Sequence, residues 1–184
     1  MILPIYVYGQ PVLRKVAVDI TKDYEGLNQF IQDLWETMYK SDGIGLAAPQ
    51  VGKSIRVFVI DGSPLEEDDP NLKDFKKAFI NAKIIERSGD EIPFTEGCLS
   101  IPNIREEVLR PPKVRIQYYD ENWQYHDDYF EGIAARIVQH EYDHLEGIMF
   151  VDHISAIRRS LLKSKLTAIS KGKVDVAYKI KPIK

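Results

Sequence analysis

The chain has only one cysteine, Cys98, among its 184 residues, so no disulfide can form within it. It contains only four histidines, and no apolar run approaches the ~20 residues that a transmembrane helix requires. The net charge of -3 gives no general reason to expect binding to DNA or to a membrane surface. These absences exclude a disulfide-stapled scaffold and a protein built from membrane-spanning helices.

The amino-terminal stretch MILPIYVYGQ starts apolar but lacks a basic segment and a small-residue cleavage site. We therefore interpret it as mature sequence and, with a single unpaired thiol, expect a cytoplasmic location. A length of 184 residues with 44% hydrophobic residues is sufficient to bury a sizeable core. We predict a single catalytic domain over residues 1–184, with a basic carboxyl-terminal segment from about residue 155.

Hydrophobic periodicity separates helical from extended segments. Helices are predicted over 24–41, 131–147 and about 155–170, where apolar residues recur every three or four positions, and PVLRK (11–15) is predicted to be a short helix. Strands are predicted for IRVFVID (55–61), AFINAKIIE (78–86), KVRIQYYD (113–120), QYHDDYFEG (124–132) and VDVAYKI (174–180). Residues 61–77 are acidic and contain proline, which predicts a surface loop. The pattern indicates the α+β class.

The segment QHEYDHLEG, residues 139–147, carries the clearest chemical signal. His140 and His144 lie four residues apart, so on a helix both imidazoles project from one face and can hold one metal ion. Glu141 follows the first histidine, where a carboxylate can act as general base or acid toward water without ligating. The alternative is a surface helix that happens to carry two histidines, which the scarcity of histidine disfavours.

A catalytic site for zinc or iron usually needs a third protein ligand. The position six residues after His144, where one zinc-protease pattern has its third histidine, is Phe150, and no glutamate follows Glu146. The Asp and His at positions 152 and 153 could reach back only through a special turn. Cys98 lies in TEGCLS, which is typical of neither helix nor regular strand. Its thiolate suits a divalent transition metal, but a small buried hydrophobic role fits the spacing equally well.

A third segment, GIGLAAPQ, covers residues 43–50. Gly43 and Gly45 permit close approach of a ligand to the backbone, and Pro49 prevents a regular helix from continuing through the segment. Gln50 offers a side-chain amide donor. Taken alone, the segment is more typical of an ordinary turn that leads into a strand.

Together, the three segments resemble the peptide deformylase family. The motifs of that family are GxGLAAxQ, EGCLS and QHExDHLxG, and they stand here in that order as GIGLAAPQ, EGCLS and QHEYDHLEG. The resemblance covers roughly residues 1–165. It implies mixed and antiparallel β-sheets around a central metal-binding helix, with a carboxyl-terminal helix.

The resemblance further implies a metal-dependent hydrolase that removes the N-formyl group from the initiator N-formylmethionine of nascent polypeptides and releases formate. Cys98, His140 and His144 would hold one divalent metal ion, natively Fe(II), with zinc, nickel or cobalt as replacements. The expected partners are N-formylmethionyl peptides and nascent chains, with no membrane and no DNA.

The resemblance also implies roles for residues around the metal. Glu141 would transfer protons, while the Gln50 side-chain amide and the Leu99 backbone N–H would stabilise the negative oxygen of the attacked formyl group. Gly45 would pair with the substrate backbone as a strand does. The other residues expected to contact substrate are Ile44, Gly97, Arg105, Ile133 and Ile137.

Two charged residues near the expected site have open orientations. Arg136 precedes His140 by four residues, where some family members carry an apolar residue, and its guanidinium either stacks on the methionine slot or points to solvent. Glu96 either pairs with a basic residue such as Arg136, which would fix the loop, or is exposed.

From Arg158 onward the chain is basic, with Asp175 as the only acidic residue. This predicts either a solvated helix face and tail or an electrostatic contact with ribosomal RNA. The basic residues are Arg158, Arg159, Lys163, Lys165, Lys171, Lys173, Lys179, Lys181 and Lys184.

Two other functions fit the sequence less well than a deformylase does. An endopeptidase of the zincin type is disfavoured, because position 150 is not histidine and no later glutamate exists. A structural metal module is disfavoured, because structural zinc sites normally close with four protein ligands.

Overall fold

The computed structural model describes residues 1–184 and contains three α-helices and nine β-strands. The helices are α1 (Leu27–Lys40), α2 (Gly132–Leu145) and α3 (Ala156–Ser170). The strands are β1 (Ile5–Tyr6), β2 (Gly45–Ala47), β3 (Val57–Asp61), β4 (Lys76–Ser88), β5 (Ile92–Cys98), β6 (Ile101–Arg110), β7 (Lys113–Tyr119), β8 (Tyr125–Glu131) and β9 (Ile180–Lys181). Short 3-10 helices occur at Pro11–Arg14, Ala48–Val51, Ser63–Leu65, Pro70–Leu72 and Phe150–Asp152. None of the three α-helices has the length and hydropathy that crossing a membrane requires.

The main sheet is antiparallel, has the order β2-β3-β4-β7-β8, and lies between α1 and α2. Strand β3 shows why, because successive side chains of a strand point to opposite faces. Val57 and Val59 join the apolar cluster that contains α1. Phe58 and Ile60 join the cluster that contains the inner face of α2. The continuous apolar sequence of β3 therefore buries both faces of the sheet, and it fixes α2 against one of them.

A second sheet, the β5–β6 hairpin, brings Cys98 to the other side of α2. The hairpin is antiparallel from Ile92↔Arg110 to Gly97↔Arg105, and its register then shifts so that Cys98 pairs with Ile101. A third apolar cluster lies beneath the hairpin and includes residues of β6 and α3, with Cys98 packed against it. The short strands β1 and β9 form a parallel pair that joins the two ends of the chain.

The α+β prediction is confirmed, and the three long helices lie within a few residues of their predicted bounds. The prediction that TEGCLS is neither helix nor regular strand is wrong for residues 95–98, which belong to β5, but the register shift between Gly97 and Cys98 and the turn at residues 99 and 100 confirm an irregular course. Residues 92–95 are all exposed, so this strand lacks the apolar alternation that identifies a half-buried strand. The predicted strand over 174–180 is also wrong in extent, because only Ile180–Lys181 pairs with another strand.

Candidate metal centre

The chain brings one sulfur and two imidazoles together between β5 and α2. The ligand atoms of Cys98, His140 and His144 all lie within 4.8 Å of one another. The Cys98 Sγ is 3.5 Å from His144 Nε2. The two histidines share one face of α2 because they are four residues apart, and the end of β5 delivers the thiol to that face.

Hydrogen bonding fixes the orientation of the first histidine. His140 Nδ1 lies 2.8 Å from Glu96 Oε1, and since an ionised carboxylate only accepts, Nδ1 carries the proton and donates. The Nε2 lone pair is then free to bind a metal, as in the carboxylate–histidine pairs of metal sites. A thiolate with two imidazoles suits zinc or Fe(II), so this donor set fits one divalent metal ion.

Glu96 is buried and is the centre of an ion-pair network. Its Oε2 accepts from Arg110 Nε at 2.7 Å and from Arg136 Nη1 at 2.8 Å, while Arg110 Nη2 is 3.0 Å from Oε1. Burial alone would raise the pKa of Glu96, but the hydrogen bonds from His140 and Arg110 outweigh it and hold the pKa well below its usual range. Of the two orientations considered for Glu96, pairing with basic residues is confirmed and exposure is wrong.

Arg136 does not point to solvent, so that alternative is wrong. Its side chain is 6% exposed and donates to the backbone oxygens of Val108 at 2.9 Å and Ile92 at 2.6 Å, in addition to Glu96. The guanidinium carbon lies 5.6 Å from the centroid of the Phe94 ring. Arg136 therefore fastens α2 to both strands of the β5–β6 hairpin.

The network continues to Asp143 and His153. Arg110 Nη1 and His153 Nε2 each lie 2.8 Å from Asp143 Oδ2. Burial would raise the pKa of Asp143, but the His153 hydrogen bond and the Arg110 charge lower it. Sequence reasoning missed Arg110 and Asp143, although Asp143 lies inside QHEYDHLEG and could have been singled out there.

The same surroundings shift the pKa values of Cys98 and His140. Burial would raise the pKa of Cys98, but the nearby His144 and His140 overcome that effect and lower it to about 5. Burial would lower the pKa of His140, yet hydrogen bonds with Cys98 and Glu96 raise it well above its ordinary value. The centre therefore stabilises a thiolate, which is the form of cysteine that binds metals.

Glu141 lies against β2 with one oxygen unsatisfied. Its side chain is buried, and Oε2 has no hydrogen-bond partner within the protein. Burial raises its pKa, with His140 and His144 opposing the rise. A β-carbon added at Gly45 would come within 2.6 Å of Glu141 Oε1. Position 45 therefore has to be glycine for the carboxylate to occupy this place.

Gln50 connects the GIGLAAPQ segment to the residues around Cys98. Its side chain is 1% exposed, and its Oε1 accepts from Ala47 N–H at 3.0 Å. Its Nε2 donates to Ser100 Oγ at 3.1 Å and lies 3.4 Å from Cys98 Sγ. The amide thus joins the 3-10 helix at Ala48–Val51 to the β5–β6 hairpin beside the thiol.

Leu99 and Ser100 form the two-residue turn between β5 and β6, the β5–β6 turn. The Leu99 N–H donates to no backbone acceptor. A β-carbon at Gly43 would lie 2.9 Å from Leu99 Cδ1, so the first glycine of GIGLAAPQ makes room for the Leu99 side chain. The turn therefore presents a free backbone donor immediately after the thiol.

The remaining sequence-predicted residues differ in burial. Ile44 is half-buried, and Ile133 and Ile137 are partly buried against the apolar cluster that contains the inner face of α2. Arg105 is exposed, and its Nη1 lies 3.2 Å from where a β-carbon of Gly97 would be.

The two side chains just after α2 do not join the metal centre. Asp152 binds Arg14 at 2.6 Å, and His153 binds Asp143. Phe150, which stands where a zincin would have its third histidine, is buried at 1% exposure. No third ligand therefore comes from the downstream side of the helix, in contrast to Cys98 on the upstream side.

Comparisons with known proteins agree with one another. The sequence model described as polypeptide deformylase matches residues 2–160. Peptide deformylase of Christiangramia forsetii is 52% identical over 188 residues, covering 98% of this chain and 96% of the relative. Peptide deformylase of Cytophaga hutchinsonii is 52% identical over 185 residues and is matched over 100% of both chains.

Solved structures give the same result for the fold. The crystal structure of peptide deformylase from Thermotoga maritima superposes with a TM-score of 0.76 at 41% identity, covering 84% of this chain and 99% of that one. Sequence, fold and metal centre lead to one conclusion. The chain belongs to the polypeptide deformylase family, the hydrolases that remove the N-formyl group from nascent peptides.

Proposed function

We propose that this chain hydrolyses the formyl amide of N-formylmethionyl peptides at the Cys98–His140–His144 cluster, with Glu141 as the general base and acid. The observation that carries the proposal is the juxtaposition of three ligand atoms within 4.8 Å of one another with a buried carboxylate that has an unpaired oxygen. Residues 1–184 act as a single catalytic domain.

The metal ion that we propose for the cluster is Fe(II), with zinc, nickel or cobalt as replacements. Such an ion supplies Lewis acidity, which lowers the pKa of water and polarises the formyl oxygen. The thiolate of Cys98 makes a centre with iron sensitive to oxidation. We therefore expect oxygen-sensitive activity with iron and more durable activity with zinc.

Glu141 moves the protons. Its buried carboxylate accepts a proton from the attacking water and later delivers it to the leaving amine nitrogen. Burial raises the pKa of Glu141, which favours a group that both takes and returns a proton. Gly45 supports this role because only a residue without a β-carbon leaves room for the carboxylate.

Two donors stabilise the oxygen that becomes negative when the formyl carbon turns tetrahedral. The first is Gln50 Nε2, which donates to Ser100 Oγ and to Cys98 Sγ and would turn the second hydrogen from the sulfur to the substrate oxygen. The second is the Leu99 N–H, which has no backbone acceptor in the protein. A preorganised donor of this kind typically contributes about 3 kcal/mol to lowering the barrier.

The substrate backbone pairs along the free edge of β2. This strand is hydrogen-bonded only to β3 and begins at Gly45, so its other edge can accept a peptide in strand-like pairing. The formyl-methionine side chain and the following backbone contact the half-buried and exposed residues around the cluster. These residues are Ile44, Gly97, Arg105, Ile133 and Ile137.

The basic segment provides a contact with the ribosome in the cytoplasm. Arg158, Arg159, Lys163 and Lys165 are exposed on α3, and an exposed basic surface binds phosphates in a salt-dependent way. Binding of the enzyme to purified ribosomes should weaken steeply as salt rises. Binding that is independent of salt would contradict this contact.

Replacing Glu141 with alanine tests the proposed function. The Glu141→Ala variant should bind one metal ion per chain, because Glu141 is not a ligand, but it should lose at least ~100-fold in formate release. The assay is formate release from formyl-Met-Ala-Ser by enzyme loaded with metal in the absence of oxygen. Casein cleavage, measured in parallel, tests for an endopeptidase.

The matched control is Glu107→Gln, which alters an exposed glutamate on β6 and should leave the rate unchanged. Full activity in Glu141→Ala would remove Glu141 from the role of base. Casein cleavage without formate release would contradict the proposed reaction itself.

A further inference from the structure

The last residues of the chain bind the β5–β6 turn, although they lie beyond residues 2–160, which the sequence model of the family matches. The Tyr178 hydroxyl donates to the Leu99 carbonyl at 2.7 Å. The Tyr8 N–H donates to the Ser100 carbonyl at 2.8 Å. Both carbonyls of the two-residue turn are therefore held by donors from opposite ends of the chain.

The two terminal segments that supply these donors are fastened to each other. Strands β1 and β9 pair in parallel, with Ile5 opposite Ile180, and Ile5 N–H donates to Lys179 O at 2.9 Å. The Gln10 side-chain amide donates to Pro182 O at 2.8 Å. The donors to the turn thus come from a cross-linked pair of segments, and Tyr178 immediately precedes this pairing.

The side chain of Tyr178 is itself held in place beside the β5–β6 turn. It is half-buried and packs, like the Leu99 side chain, against the apolar cluster that contains α1. Burial raises the pKa of Tyr178, and the nearby Cys98 adds to the rise, so the hydroxyl keeps the proton that it donates. Val174 and Ile180, on either side of Tyr178 in sequence, pack against the cluster beneath Cys98.

We propose that Tyr178 is a positioning residue for catalysis, which holds the Leu99 carbonyl and thereby aims the Leu99 N–H at the substrate oxygen. The two peptide units that flank the Leu99 α-carbon carry this carbonyl and this N–H. The first unit is attached to the metal-binding Cys98, and Tyr178 fixes the second. With both units held, the N–H keeps one direction, which a donor to a developing charge requires.

This inference rests on the proposed role of Leu99. It assigns to residues 171–184 a function in the chemical step, in addition to any contact of the basic segment with the ribosome. A donor misplaced by even about 1 Å can reduce the rate by about 100-fold. In Tyr178→Phe the aromatic ring would remain packed, so we expect the rate to fall by less than about 100-fold.

The test is the Tyr178→Phe variant, which removes one hydroxyl and retains the ring. The value of kcat for formate release should fall about tenfold, with KM for formyl-Met-Ala-Ser changed by less than about twofold, since the lost orientation acts in the transition state. Amide hydrogen exchange of residues 97–102 should accelerate, while exchange in β3 stays the same. The content of bound metal and the midpoint of thermal unfolding are measured for each protein.

The control is Tyr125→Phe, which removes the hydroxyl of an exposed tyrosine on β8, far in sequence from the turn. It should match the wild type in every measurement.

Unchanged exchange in residues 97–102 of Tyr178→Phe would overturn the positioning role. Faster exchange with unchanged kcat would also overturn it and would remove Leu99 from the set of donors. Absence of formate release in the wild type would instead contradict the proposed function, and the exchange data would still decide whether Tyr178 holds the turn.

Discussion

Glu96 joins the metal centre to the scaffold more directly than any other residue. One of its oxygens orients His140, and together its oxygens accept from the guanidinium groups of Arg110 and Arg136. Of these three partners, Arg110 belongs to β6, and Arg136 and His140 belong to α2. The carboxylate thus neutralises buried positive charge and selects the ring nitrogen of His140 that faces the thiol.

Changing Glu96 to glutamine should weaken both stability and metal binding. The amide has a single acceptor oxygen and no charge, so Arg110 and Arg136 would stay buried without full compensation. The free energy of unfolding should fall by about 3–5 kcal/mol, as when one partner of a buried ion pair is removed. Metal affinity should fall by about 10–100-fold because His140 loses its orienting acceptor. Urea unfolding and competition with a chelator measure the two effects.

Glu107→Gln is again the matched control, since Glu107 is exposed on the neighbouring strand. It should change the free energy of unfolding by less than ~0.5 kcal/mol. If Glu96→Gln kept the metal affinity of the wild type, the carboxylate would not be needed to orient His140.

Individual residues differ in how far the sequence identifies them. The spacing of His140 and His144 is local, so it predicts a shared helix face, and the resemblance adds Cys98. Arg110 has no local signal of this kind, because its partners Glu96 and Asp143 are 14 and 33 residues away in the chain. A buried ion pair between distant residues depends on tertiary packing, which periodicity does not encode.

Helix α2 contacts the main sheet with one face and the β5–β6 hairpin with another. Ala135, Val138 and Tyr142 face the main sheet and pack in its apolar cluster. Arg136 and His140 lie four residues apart on another face, and both bind Glu96 of the β5–β6 hairpin. The helix is therefore buried on both sides. Because Arg136 and His140 both bind Glu96, the hairpin also fixes the orientation of His140.

Changing Arg136 to methionine should separate α2 from the hairpin without removing any group of the metal centre. Methionine fills a similar space, but the carbonyls of Val108 and Ile92 would lose their donor and Glu96 would lose one of its cations. We expect the free energy of unfolding to fall by about 3 kcal/mol, because a buried pair and two hydrogen bonds are lost. Denaturant unfolding measures the loss, and faster amide exchange in β5 and β6 would locate it.

Arg159→Met on the exposed face of α3 provides the comparison, with an expected change below ~0.5 kcal/mol. An Arg136→Met protein as stable as Arg159→Met would mean that the three hydrogen bonds contribute nothing net to folding.

The elements that the sequence predicts well are those whose burial produces a regular pattern. Strand β7 alternates between buried and half-buried residues, and β3 is a continuous apolar run, so both are evident. Strand β5 has neither pattern, because its first residues are exposed and Glu96 is buried by ion pairing. Its existence follows from pairing with β6, and a single sequence gives no direct signal of pairing.

At the scale of the whole molecule, the metal centre lies where separate apolar clusters meet. The main sheet fixes α2, and the cluster that includes β6 and α3 supports Cys98 from the other side. The α+β class follows from helical and strand periods alone. The relative placement of the hairpin and α2 does not, because it depends on contacts between segments about 40 residues apart, such as Glu96 with Arg136.

Removal of the metal should destabilise the entire chain rather than only its centre. The ligand atoms of Cys98, His140 and His144 lie within 4.8 Å of one another between α2 and the hairpin, so an ion bound there would join these two elements. An ion that binds only the folded state adds about 4 kcal/mol of stability when its concentration is about 1,000 times its Kd. For a chain of this size that corresponds to roughly 10 °C in the unfolding midpoint.

Calorimetry of the protein with excess zinc, and of the same protein after treatment with a chelator, measures this difference. The Cys98→Ala variant is the control, because loss of the thiolate removes one of the three ligands and should make the midpoint nearly independent of zinc. Equal midpoints with and without metal in the unaltered chain would show that the cluster binds no ion in the folded state. A shift that Cys98→Ala retains in full would place the stabilising ion at a site other than Cys98, His140 and His144.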